Sequence, residues 1–582
     1  MKVDRYLKTY REHVFKRSVE YIPLKKADFM LFFETGDRLC YERKYFAGRK
    51  ALTVLALRLL FGDREPATVE GLKNVIGQIL SEPVWALPAH CGRDAWDTRE
   101  YGIDLFAAET AGSLAQILWL TSKDGAFEGH RALVDAFFAR FEKEILAKLE
   151  KEIFWWEEGD SNWTAVCAGN IETAAFCLLK MGLLSKALYV QLSKRLLKSF
   201  YTYLAGFGTD GCCREGISYY NYGMHYLLNV LELWESEGEH PDELAEIKSG
   251  LNKRYITRFL ENTNLGGRSF VAFSDTTGHE SVDAGIISYL SHIDPGLCLP
   301  SGFYEGEELC PADPSVFVIL GGDECGRFSM ALGEYNWVRD YGRDLKPGKT
   351  GGSALLKDAE WFVSRFEDGM AFAIKGGNNR EPHNHNDVGS FTVSYKGIPV
   401  VAELGSGEYT AGYFGADRYK TLCTSSEGHN VPLCAGLQQK EDTEGGAFSF
   451  ENGLFIKDLS PSYGLEAGTV QRRACCLPCG ELLQPLESKR PSVRIEDHGV
   501  VLLVERLMFF SKPTIDGEKI TVTVKQESGD SKTFIIKFEN GEQPSLEELF
   551  YTDHNGLKTK VFRLSAKKQE GKEYIAIEIT PA

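Results

Sequence analysis

Apolar residues recur at helical spacing through the first 340 residues of the chain. The pattern is clearest in RKALTVLALRLLF (49–61), LFAAETAGSLAQILWL (105–120), RALVDAFFARFEKEILAKLEKE (131–152), NIETAAFCLLKMGLL (170–184), LYVQLSKRLLKSFYTYLAGF (188–207) and MHYLLNVLELWESE (224–237). Apolar positions three and four apart put one stripe on each helix, and short polar or Gly-containing connections suit antiparallel neighbours. Helices of this kind in succession predict helical hairpins set in a ring or solenoid.

The period then changes to two. AEWFVSRF (359–366), MAFAIKG (370–376), SFTVSY (390–395), IPVVAEL (398–404), VVLLVERLMFF (500–510), KITVTVK (519–525), KTFIIKFE (532–539), KVFRLSA (560–566) and EYIAIEI (573–579) alternate or are β-branched runs. ENG and HNG between them are hairpin signals. An antiparallel sandwich over 341–582, after a helical domain over 1–340, is the predicted organisation. DYGRDLKPGKTGG (340–352), rich in Gly and basic residues, is the predicted linker.

Bulk properties narrow the function. A chain of 582 residues suggests about four domains by length alone, whereas the pattern gives two. The net charge of −17 argues against a nucleic-acid partner, which needs a basic stripe. It leaves open an acidic polysaccharide held in a local cleft. MKVDRYLKTYREHVFKRS at the start has no apolar core, and no run of ~18 apolar residues occurs. No secretory signal, no membrane span and a cytoplasmic location are therefore expected. The fourteen cysteines are scattered. The adjacent pairs Cys212–Cys213 and Cys475–Cys476 are awkward for bridges, and Cys476 with Cys479 makes a lone CxxC, so reduced thiols are expected.

Three stretches carry candidate chemistry. In EPHNHNDVGSF (381–391), His383 and His385 lie two apart and face one side of an extended chain. A hairpin turning at Lys396–Gly397 pairs Tyr395 with Ile398 and brings Glu403 towards His385. With His429 of SEGHNVP, this makes a candidate divalent site of His385, Glu403 and His429. Hydrogen-bonded cleft histidines fit the same spacing. In DGCCREGISYYNYGMHY (210–226), Tyr219 and Tyr220 are phenols that either line a helix core or move a proton. In WWEEGDSNWTAVCAGN (155–170), Asn162 is a carboxylate donor or a helix cap, and Trp163 a packing ring or a cleft wall. PVWALPAH adds Trp85 and His90 as sugar-cleft or packing residues. Arg418 and Arg380 are candidate clamps for a carboxylate or sulfate, or surface ion pairs.

Together these stretches resemble the heparinase II/III-like superfamily of polysaccharide lyases. The likeness covers nearly the whole chain: an Asn-Trp site and an EGxxY site in the helical half, then HxHxDxGSF and a later GHN in the β half. It implies an (α/α) toroid joined to an antiparallel β-sandwich, and β-elimination of uronic-acid glycosides. By similarity Asn162 neutralises the substrate carboxylate, Tyr219 (or, one register on, Tyr220) is the acid, and His383 is the base or a second neutraliser. Trp163 stands where many relatives have His. His385, Glu403 and His429 match the ligands of a structural zinc or manganese ion, with Glu where several relatives have Asp. The expected substrate is a glycosaminoglycan such as hyaluronan, chondroitin sulfate or heparan sulfate, with alginate or another uronan as the alternative. A homo-oligomer is left open. The rival readings are a toroid hydrolase using Glu157, Glu158 or Asp160, and a non-catalytic carbohydrate-binding scaffold.

Overall fold

The structure, a computed structural model, describes residues 1–122, 130–277, 282, 284–311, 326–349, 351–477, 491–526 and 529–582. The helices Leu39–Leu60, Leu105–Ser122, Asn162–Lys180, Ile217–Glu237 and Phe328–Tyr341 touch one another in that order, and the last returns to the first. This closed circuit is the inner wall of an (α/α) toroid. The pattern explains who goes inside. Leu105–Ser122 is buried on every side except at Leu120 and Ser122, as expected of a helix apolar all round. Pro66–Ser81 and Lys186–Ala205 keep an exposed polar face, Ala284–Ile293 is buried through Ser291, and each of the three backs an inner partner. Two outer helices start on proline, Pro66 and Pro241, where the missing N–H costs nothing. Ile217–Glu237 stops at Gly238, in the left-handed region at φ 67°.

From Gly352 onward the long elements are strands, and each pairs antiparallel with its neighbours. A five-stranded sheet runs in the order Ile398–Val401, Phe391–Tyr395, Met370–Lys375, Trp361–Arg365, Gly352–Leu356. A four-stranded and an eight-stranded sheet complete the sandwich. One core holds Phe372 and Phe391 of the first sheet, Leu507 and Leu564 of the second, and Val493, Phe534 and Ile577 of the third. Each such buried side chain contributes about 2 kcal/mol. Strand alternation does a second job in Trp361–Arg365. Phe362 faces the sandwich core, while Trp361 and Val363 join the core of the toroid with Phe259 and Phe273. The two halves are thus packed face to face.

The predicted linker is tied down. Lys346–Pro347 pairs in parallel with Cys298–Leu299. The expected Tyr395–Ile398 pairing is present, but the register shifts between Val393 and Ser394. Cys212, Cys213, Cys475 and Cys476 are buried in the cores, and Cys479 lies outside the described residues. No described helix is long and apolar enough to cross a membrane.

Candidate active site at the toroid–sandwich junction

On the toroid side, the site is built at two helix starts. Gly216 precedes Ile217–Glu237 at φ 97°, and a Cβ there would meet Thr276 Oγ1 at 2.1 Å, so only glycine fits. Thr276 Oγ1 accepts from the Ile217 amide at 3.0 Å. This fixes Glu215 just ahead of the helix and Tyr219 in its first turn. Glu215 in turn caps the neighbouring helix: its Oε2 accepts from the Asn162 amide (2.7 Å) and its Oε1 from Asn162 Nδ2 (2.9 Å). Asn162 is fully buried and its Oδ1 has no partner. Burial raises the Glu215 carboxyl above the usual range, against the opposing pull of His383 and the Asn162 donors.

On the sandwich side, His383 holds φ at 56°, rare for a side chain with a Cβ. Its ring stacks on Tyr219 with centroids 4.0 Å apart and planes at 26°. The Tyr219 hydroxyl lies 2.7 Å from that of Tyr409. Burial, reinforced by the Asp275 charge, pushes the Tyr219 phenol well above its ordinary pKa. His383 Nδ1 is 2.9 Å from Asp275 Oδ2, and Nε2 is 3.4 Å from Glu215 Oε1.

Asp275, from the toroid loop FSDTTG, joins the parts. Its Oδ2 also accepts from Arg418 (2.9 Å); its Oδ1 meets His385 Nε2 (2.9 Å) and accepts from Tyr413 (2.5 Å). Burial disfavours its charge, yet the two histidines and Arg418 hold its carboxyl well below the ordinary value. One carboxylate therefore grips His383 and His385 together.

Behind them, ligand atoms of His385, Asp387 and His429 lie within 4.8 Å of one another, all buried. His385 Nδ1 and Asp387 Oδ2 have no hydrogen-bond partner. A buried imidazole nitrogen and carboxylate oxygen left over at one point fit a divalent ion, and Asp275 on the other His385 nitrogen is the usual outer partner of such a ligand. Burial lowers the His385 pKa to about 4, which keeps it neutral and able to ligate. Asp387 Oδ1 accepts from the buried Lys375 ammonium at 2.8 Å. Glu403, expected as a ligand, sits one layer back. Its Oε1 accepts from Ser390 and Asn430, and its Oε2 is 2.6 Å from His429 Nδ1. His429 Nε2 in turn lies 2.9 Å from the Cys423 carbonyl, so both of its nitrogens and both Glu403 oxygens have protein partners, and the unpartnered donor atoms at this point are those of His385 and Asp387.

Several other expected residues have different surroundings. Tyr220 is fully buried in the toroid core, its hydroxyl on the Ile256 carbonyl, so Tyr219 is the phenol at the junction. Trp85 is core. Arg380 is paired at the surface with Asp442 and Glu444. Arg418 reaches the site, where its Nη2 donates to Asp275 and to the Asn384 carbonyl. Glu157 is chelated by Arg195 at 2.6 and 2.7 Å. His90 lies beside Trp163, ring centroids 5.0 Å apart, with its Nδ1 held by Asp104 at 2.9 Å.

No protein-family profile matches the sequence, and no curated protein sequence matches it. Solved structures do. The chain is similar to heparinase III (TM-score 0.60, 12% identity, 99% of this chain and 89% of that one). It is similar to a second heparinase III gene product (TM-score 0.58, 13% identity, 100% and 89%). It is also similar to the heparan sulfate lyase HepC of Pedobacter heparinus (TM-score 0.53, 13% identity, 100% and 83%). These likenesses establish a heparinase-type fold over the whole chain.

Proposed function

We propose that the chain is a polysaccharide lyase that cleaves uronic-acid glycosides by β-elimination, with glycosaminoglycans as its substrates. The observation that carries this reading is the Tyr219–His383 stack, with Asp275 behind the imidazole and the Asn162–Glu215 pair beside it. Hydrolysis needs two carboxyl groups facing a bond; here the one candidate pair member that is buried, Glu157, is locked to Arg195. Elimination needs a neutralised uronate, a base for the C5 proton and an acid for the leaving O4, and each has a group.

The Asn162–Glu215 pair meets the substrate carboxylate: Glu215 turns to it, and the buried Asn162 holds Glu215 in place. Glu215, with its raised pKa, shares a proton with the incoming carboxylate and so makes the C5 proton more acidic. His383 takes that proton. Its Nδ1–H points at Asp275, which leaves Nε2 as the basic atom. As the C4–C5 double bond forms, the C4–O4 bond breaks. Tyr219, kept protonated by its raised pKa, gives its proton to O4, and the Tyr409 hydroxyl steadies the phenolate. His385, Asp387 and His429 would hold a zinc or manganese ion, whose role when bound is to pin the segment that carries His383. The test is product mass. β-Elimination adds no water, so every new non-reducing fragment is one water lighter than its hydrolytic counterpart. Fragments carrying the added water would replace this reading with hydrolysis.

A further inference from the structure

A run of aromatic rings that starts beside Asn162 has no part in the chemistry above. Trp155 is 62% exposed, and Ile153 two residues earlier is 68% exposed. Single exposed apolar side chains are ordinary on a surface; what sets Trp155 apart is the run of rings it adjoins. Trp155 lies against Trp163, ring centroids 5.0 Å apart at 46°. Trp163 lies edge-on to His90 at 5.0 Å, and His90 stacks on Phe106 at 5.7 Å and 13°. His90 is fixed by Asp104, which also accepts from the Leu87 and Ala107 amides. The rings thus stand on a rigid base. Trp163 follows Asn162 directly in the chain, so the platform begins one residue from the Asn162–Glu215 pair proposed to meet the substrate carboxylate.

We infer that Trp155 and Trp163, backed by His90, form a sugar-stacking subsite next to the reacting uronate. The axial C–H groups of a pyranose ring make an apolar face that an indole covers well, while the hydroxyls stay in water. The charged side chains exposed between the two tryptophans in the chain are Glu158 and Asp160, both acidic. They disfavour a sulfated ring, so the occupant is an uncharged sugar, the neutral partner of the uronate in an alternating polymer. This inference rests on the lyase reading for the identity of the chain being bound, and the test separates the two.

The experiment compares wild type, Trp155→Ala and Trp155→Phe on oligosaccharides of equal length from chondroitin and chondroitin sulfate, and from heparosan and heparan sulfate. Affinity is read by calorimetry and turnover by unsaturated product. Trp155 is exposed, so its loss leaves folding intact, which circular dichroism checks. Trp155→Ala is expected to weaken binding of the unsulfated oligosaccharides about tenfold, raising KM with kcat held, and Trp155→Phe to restore most of it. Wild type is expected to bind the unsulfated member of a pair more tightly. Unchanged affinity in Trp155→Ala, with product still formed, overturns the subsite and leaves the lyase standing. Weakened binding in Trp155→Ala without unsaturated product from any protein keeps the subsite and overturns the lyase reading. Tighter binding of the sulfated members overturns the choice of an uncharged occupant.

Discussion

Asp275 is the residue on which the site turns. It aligns His383 through Oδ2 and His385 through Oδ1. Replacing it with Asn keeps the shape but offers an N–H where an oxygen stood, so His383 loses its preferred tautomer. Asp275→Asn is expected to lower kcat by about 10²-fold or more while KM moves little; steady-state kinetics check this, and an unchanged kcat would remove Asp275 from the account. Tyr219→Phe removes the proton for O4 and should cost about 10²–10⁴-fold in turnover, with binding nearly intact. Much of this residue set was legible beforehand. Asn162, Tyr219, His383 and His385 lie in the matching motifs, although the segment turns at His383 (φ 56°) instead of running extended as the two-residue spacing suggests. Asp387 stands in the same i, i+2 series, whereas the hairpin register points to Glu403. Asp275 carried no local signal at all. It sits in a loop of the helical half, and its partners are more than 100 residues away, so only the packed halves reveal it.

At the scale of elements, three helices of the toroid meet on one buried carboxyl. Glu172, on Asn162–Lys180, accepts from Tyr189 and Ser193 of Lys186–Ala205 and from Trp234 of Ile217–Glu237. His240 faces the same hydroxyls of Tyr189 and Ser193. Burial raises the Glu172 pKa from 4.5 to about 7, despite those hydrogen bonds. The folded state then binds a proton more tightly than the unfolded chain. The stability this contributes is complete below pH 4.5 and is lost as pH rises through about 7, roughly 3 kcal/mol in all. Glu172→Gln should flatten part of that fall in a series of denaturant melts. Glu232 and Glu381, also raised to about 7, keep the rest of the slope. A slope unchanged in the variant would mean that Glu172 stays ionised. The long helices and strands were legible because their apolar periods run for many residues. Short elements such as Asn264–Gly266 and Lys346–Pro347 were not, since two or three residues carry no period and their pairing is set by the packing around them. The bulge near Val393 was hidden for the same reason.

Across the whole molecule, a helical ring and a β-sandwich are pressed together, and the candidate site is the seam. His383 rests on Tyr219, Asp275 reaches His385, and Trp361 packs among toroid residues. Metal bound by His385, Asp387 and His429 would stabilise the segment that crosses this seam. Adding zinc or manganese to chelator-treated protein should raise Tm by a few degrees through selective binding to the folded state. His385→Ala should abolish the response, whereas an equal rise in that variant would place the ion elsewhere.

The central claim is elimination across this seam, and the direct measurement is ultraviolet absorbance of the unsaturated uronate. Wild type and Tyr219→Phe would each be incubated with hyaluronan, chondroitin sulfate, heparan sulfate and alginate. The account predicts that absorbance rises with wild type on at least one glycosaminoglycan and that the rise is lost in Tyr219→Phe. New reducing ends without any absorbance change would contradict it.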